Sequence, residues 1–123
     1  MDSQLEQVRE IWANAFYTGD YDVLRQYEHE DFKVVFEQKN RVETSYVRYD
    51  RIAHAVKNGV WKPHKPEVEY EEYEYNEDET ECWVVTGLAE DKHRIQELWR
   101  YEDEWKIIEL RFLKSYTFNQ LRK

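Results

Sequence analysis

The sequence predicts an α+β domain in which N-terminal helices lie against one strongly bent antiparallel sheet. Three observations carry this expectation. Apolar residues recur at helical spacing over Leu5, Val8, Trp12, Ala15 and Phe16. Residues 94–113, RIQELWRYEDEWKIIELRFL, read as two long strands joined at an acidic turn, rich in β-branched and aromatic side chains. The predicted order, helix, helix, strand, helix and then four longer strands, is that of helices laid on a meander.

The first helix runs from Asp2, which with Ser3 is a candidate cap, and Glu6 stands where a capping box needs it. Gly19 stops it, because glycine takes the left-handed conformation at a helix C-terminus without penalty. Asp20 then caps a short second helix that turns Val23, Leu24 and Tyr27 inward. Residues 32–37, FKVVFE, form a strand, with a brief partner around Val42. The third helix starts at Tyr46 or Asp50, buries Ile52, Ala55 and Val56, and ends at Asn58-Gly59. The connector WKPHKP (residues 61–66) holds two prolines, which forbid regular pairing. Strand 67–75 changes its apolar phase from Val68 and Tyr70 to Tyr73 and Tyr75, which a β-bulge near Glu71-Glu72 would reconcile. A polar turn at residues 76–80 leads into a more central strand, 81–89, in which Gly87 allows a bend.

A two-residue turn at Asp103-Glu104 sets the register of the final hairpin: Trp99 faces Ile108 and Glu97 faces Leu110. One face then carries Ile95, Glu97, Trp99, Tyr101, Ile108, Leu110 and Phe112, a core face with one carboxylate in it. The other carries Leu98, Arg100, Trp105, Ile107, Glu109 and Arg111, as expected of a sheet surface meeting water or another subunit.

At 123 residues the chain is one domain, 1–123, long enough to bury a core. Its hydrophobic content of 41% and aromatic content of 16% argue against disorder despite 37% charged residues. The net charge of -9, without a basic stripe, argues against nucleic acid as a partner. Cys82 stands alone, which rules out an internal disulfide and a multi-cysteine metal site. No long apolar run or signal-like segment is present, so a cytoplasmic protein without a membrane partner is expected.

Glu97 is the most informative candidate site residue, since a carboxylate among Ile95, Trp99, Tyr101 and Leu110 could act as an acid or hydrogen-bond donor. The alternative is a strand-end carboxylate bonded to a tyrosine or to water. His54 could be a base near neutral pH, but it lies to the side of the helix face set by Ile52 and Val56. His64 in the connector and His93 beside Asp91 are placed at the surface. The run Glu28-His29-Glu30-Asp31 holds metal-ligand types, yet its local spacing does not converge them, so a solvated loop and no metal are expected. Cys82 lacks a cationic activator and reads as an inert thiol. Residues 67–81, EVEYEEYEYNEDETE, form either an acidic surface for a basic partner or an edge blunted against aggregation.

Residues 16–22 (FYTGDYD), 27–36 (YEHEDFKVVF) and 99–107 (WRYEDEWKI) together resemble the NTF2-like superfamily, including its SnoaL-like and ketosteroid-isomerase-like members. The resemblance implies a cone formed by a bent sheet around a long helix, a pocket at the wide end, and dimers paired through the outer sheet face. The isomerase pattern would put a base at Phe36 and a donor tyrosine at Trp12, so two of its three roles are missing here. Only Glu97 matches, at the position of the buried acid, while Glu37 falls one residue beyond the base and on the other face.

The expectation that follows is a small, acidic, homodimeric domain binding a small apolar or aromatic molecule without a cofactor. Trp12, Phe16, Phe36, Trp99, Tyr101 and Leu110 would form the wall, and Glu97, Tyr17 and His54 the polar contacts. If there is catalysis, the resemblance implies proton transfer of the isomerase, cyclase or dehydratase kind. The alternative is a non-enzymatic protein-interaction module, such as an immunity or regulatory protein, with the cone filled by its own aromatics.

Overall fold

The computed structural model describes residues 3–89 and 94–113. Its elements are α1 (Ser3–Thr18), α2 (Tyr21–Tyr27), β1 (Glu28–Phe36), β2 (Arg41–Thr44), α3 (Ser45–Lys57), β3 (Val68–Tyr75), β4 (Glu81–Leu88), β5 (Arg94–Glu102) and β6 (Glu104–Phe112). Three helices pack on one six-stranded sheet ordered β2-β1-β6-β5-β4-β3. The four long strands form the expected antiparallel meander, and β1 joins it by pairing parallel to β6.

Gly19 ends α1 with a φ of 78°, and its missing side chain matters as much as its backbone. A Cβ there would lie 2.5 Å from Val56 Cγ2 and 2.8 Å from Trp61 Cδ1. Asp20 caps α2 as expected, its carboxylate accepting from the Val23 amide. The expected cap at Asp2 or Ser3, and the placement of Asp91 and His93, fall outside the described residues and side chains.

Leu5, Trp12 and Ala15 from α1, Leu24 from α2 and Ile52 from α3 are buried against Phe32, Val34, Cys82, Val84, Trp99, Trp105 and Ile107 of the sheet. Burial of these apolar side chains, among them Trp12, Phe32, Trp99 and Trp105, is the principal stabilising term of the fold. No helix among the described residues is long and apolar enough to cross a membrane.

The register of the last hairpin differs from the expected one near its tip. Asp103 adopts a φ of 72°, so the turn closes on one residue and Glu102 faces Glu104. Trp99 therefore faces Ile107, not Ile108. A bulge between Leu98 and Trp99 takes up one extra β6 residue and restores the expected pairing of Glu97 with Leu110. The consequence is a change of face: Trp105 and Ile107 are buried in the core, not displayed on the outer sheet surface. Leu98, Arg100, Glu109 and Arg111 remain on the outer side, which also carries Trp83, 38% exposed.

Two further boundaries moved. β1 begins at Glu28, so residues 28–31 belong to a strand and are not a loop. The bulge in β3 lies between Val68 and Tyr70, earlier than the Glu71-Glu72 expected from the apolar phase. Val56 is 40% exposed and borders Gly19, while Ile52 is the buried apolar anchor of α3.

Candidate functional site

The interior of the cone is organised by two glutamates, each embedded among aromatic rings. Glu97 projects inward from β5 and is 5% exposed. Arg9, one turn before Trp12 on α1, grips it with both arms of its fork: Nε donates to Oε1 at 2.7 Å and Nη2 to Oε2 at 2.9 Å. The Trp99 indole N–H donates to the same Oε1 at 2.7 Å. The remaining Arg9 arm donates to the Tyr73 hydroxyl at 2.7 Å and to Glu71 at 3.4 Å. Burial pulls the Arg9 proton affinity down, and the Glu97 contact more than reverses this, so the guanidinium stays charged. Glu97 is thus the bidentate partner of an arginine, in an internal ion pair and not bonded to a tyrosine or reaching water.

Glu28 forms the second cluster and was not a sequence candidate as a buried group. Its side chain is 0% exposed at the start of β1. Arg48 Nη1 lies 3.0 Å from each carboxylate oxygen, the Tyr49 hydroxyl donates to Oε1 at 2.6 Å, and the Trp12 indole donates to Oε2 at 2.8 Å. Burial first, and the bond to Glu28 second, raise the pKa of the Tyr49 phenol above its ordinary value. A readable signal existed: Glu28 shares parity with Phe32, Val34 and Phe36, and Arg48 stands four residues before Ile52 on the buried side of α3.

The expected wall residues occupy several separate places. Trp12 and Trp99 meet edge to face with centroids 5.6 Å apart, and Leu110 lies opposite Glu97 in the strand pairing. Phe16 packs instead between Tyr17 and Trp61, and the Trp61 indole donates to the Phe16 carbonyl at 2.7 Å. Tyr17 is half-buried, which raises its phenol pKa, and the Lys65 ammonium lies 5.7 Å from its ring centre. Phe36 stacks on Phe112 at 5.1 Å, with the Arg41 guanidinium 4.9 Å from its ring centre. Tyr101 packs on Trp105 near the hairpin tip and is 39% exposed. His54 and His64 are exposed.

The remaining candidates take structural positions. Glu37 accepts from Arg111 at 3.1 Å, off the core face as its parity implied. His29 Nδ1 accepts from the Asp31 amide within β1, and no group of three or more His, Cys, Asp or Glu among the described residues could hold a metal ion. Cys82 is fully buried, and burial pushes its thiol up to about 11.

Two clefts border these clusters, one reaching Tyr49 of the Glu28 cluster and the other Arg9 and Tyr73 of the Glu97 cluster. One, of about 520 Å³, runs between α2 and α3 and is lined by Tyr21, Arg25, Tyr46, Tyr49, Asp50 and Ala53. The other, of about 320 Å³, lies between α1 and β3 over Glu6, Arg9, Glu10, Ala13, Glu71 and Tyr73. None of the expected wall residues lines either cleft.

No protein-family model matches the sequence, and no curated protein matches it. Solved structures do. An NTF2-like protein from Cytophaga hutchinsonii superposes with a TM-score of 0.71 at 13% identity, over 88% of this chain and 93% of that one. An NTF2-like protein from Pseudomonas putida gives 0.68 at 11% identity, over 97% and 89% of the two chains. A candidate ketosteroid isomerase from Shewanella frigidimarina gives 0.66 at 12% identity, over 91% and 96%. The fold is therefore NTF2-like, as the residues at the helix junction and final hairpin implied, and at these identities the likeness is one of fold alone.

Proposed function

We propose that this chain is a non-catalytic binding module on the NTF2-like fold, with a cone closed by its own side chains and a protein partner met on the outside. The observation that carries this reading is that both oxygens of each interior carboxylate are engaged by fixed internal donors. Glu28 and Glu97 each accept from an arginine and an indole, and Glu28 accepts from Tyr49 as well. A general acid or base has to exchange its proton with a substrate within hydrogen-bond reach. Here that reach is taken up by fixed internal donors, and replacing them would leave buried arginines without counter-charges.

Two outer surfaces support a protein partner. The outer sheet face, with Trp83 and Leu98 among Arg100, Glu109 and Arg111, suits a second copy of the chain. The terminal strand β3 exposes Val68 and Tyr70 among glutamates, which suits a partner with a basic surface. A lone buried thiol and an acidic surface fit a cytoplasmic setting.

The second reading keeps a small apolar or aromatic ligand inside the cone, and the likeness to a candidate ketosteroid isomerase favours it. Trp12, Phe16, Phe36, Trp99, Tyr101 and Leu110 would then be the wall, with Glu97, Tyr17 and His54 as polar contacts. It requires Trp12 and Trp99 to part. Native mass spectrometry of freshly purified protein, repeated after denaturation, separates the readings. The expected result is a dimer with no added mass. A small molecule retained in the native state and lost on denaturation would overturn the closed cone.

A further inference from the structure

The groove between α2 and α3 carries a specific chemistry that the interior does not use. Residues 46, 49, 50 and 53 recur at spacings of three and four, so one face of α3 forms one wall, and Tyr21 and Arg25 of α2 form the other. The Tyr49 ring is held from behind, because its hydroxyl is bonded to the fully buried Glu28. Tyr46 is the opposite case: at 83% exposure its ring contributes little to the fold and is free to contact a ligand. The volume of about 520 Å³ lies within the range of about 300–1,000 Å³ usual for small-molecule sites.

The charges narrow the ligand class. The Arg25 guanidinium stands 5.1 Å from the Tyr49 ring centre, and its ion pair with Asp22 is at the 4.0 Å limit between two exposed side chains. Asp50 makes no hydrogen bond or ion pair with another described residue, and it does not pair with Arg25. An uncharged ring would engage neither of these two exposed charges. An anion alone would meet Asp50, and a cation alone would meet Arg25.

We infer that this groove binds a small aromatic zwitterion, a planar ring carrying both a carboxylate and an ammonium group, as in a free aromatic amino acid. The ring lies on the exposed Tyr46 face, the carboxylate accepts from the Arg25 fork held over Tyr49, and the ammonium donates to Asp50. This inference goes beyond the proposed protein-interaction role and does not depend on it. For a ligand of this size on an open groove, the dissociation constant is on the order of 0.1–1 mM.

The test is a heteronuclear NMR titration of the full isotope-labelled chain with L-tryptophan, tryptamine and indole-3-propionate in parallel. Saturable shifts confined to residues 21–27 and 45–53 are expected, with tryptophan bound about tenfold more tightly than either analogue. Arg25→Met should remove the preference over tryptamine, and Asp50→Asn the preference over indole-3-propionate. Both side chains are exposed, so both variants should retain the wild-type spectrum elsewhere. Equal binding of the three compounds, shifts mapping outside the groove, or no saturation by about 10 mM would each overturn the inference.

Discussion

Trp12 and Trp99 meet edge to face at 5.6 Å in the middle of the cone, and each donates its indole N–H to a different buried glutamate. The pair links two carboxylate clusters that are otherwise separate, one completed by Arg48 and Tyr49 and the other by Arg9. This aromatic and ionic packing lies between the helices and the inner face of the sheet.

The Arg9–Glu97 pair gives the sharpest stability prediction. Glu97→Gln is expected to cost about 3 kcal/mol in urea unfolding, because it leaves a buried guanidinium without its counter-charge. Combining it with Arg9→Met should recover at least about 1 kcal/mol relative to the sum of the single changes. Strict additivity would mean that the two groups are not coupled in solution.

The pH dependence of stability should have limbs on both sides of neutrality. The Arg51 hydrogen bond, followed by opposing desolvation, leaves the Glu43 carboxyl below its usual value of 4.5. Its contribution is present above that pH and is lost as the pH falls through the lowered folded value. Tyr49 is raised above 10.0, so its contribution is complete below pH 10.0 and is lost as the pH rises toward the folded value. Glu43→Gln should flatten the acid limb and Tyr49→Phe the alkaline one, as read by chemical denaturation across pH.

Cys82 should behave as a core side chain. Its thiol is pushed up to about 11 by burial, so at pH 8 a thiol reagent should modify the native protein at least about 100-fold more slowly than the unfolded chain. Rapid native labelling would show that β4 opens to solvent more readily than its packing implies.

Gly19 combines a positive φ with a close approach of Val56 and Trp61. Gly19→Ala is therefore expected to destabilise by about 2 kcal/mol or more, while leaving secondary structure intact by circular dichroism. A neutral substitution would mean that the α1–α2 junction adjusts freely.

Dimerisation, if it uses the outer sheet face, should be sensitive to charge at its apolar positions. Trp83→Glu or Leu98→Glu is expected to give a monomer by sedimentation that keeps its secondary structure by circular dichroism. The same change at Trp105 should instead unfold the protein, because Trp105 is 2% exposed in the core.

The element order, the amphipathic face of α1, the stop at Gly19 and the Asp20 cap were determined locally, by periodicity and by the backbone preferences of single residues. These are short-range properties that a sequence carries openly. The element order followed from them, whereas the NTF2-like resemblance rested on residues 16–22, 27–36 and 99–107, and the parallel pairing of β1 with β6 was not among the expectations.

What only the tertiary structure decided depends on registers and partners distant in the chain. One residue in the left-handed conformation at Asp103, with a compensating bulge at Leu98-Trp99, moved Trp105 and Ile107 from the outer face to the core. Periodicity marked the apolar faces of α1 and α3, but not that Arg9 and Arg48 turn inward to Glu97, 88 residues away, and Glu28, 20 residues away. A buried charge is tolerated only beside its counter-charge, and that proximity is created by chain packing.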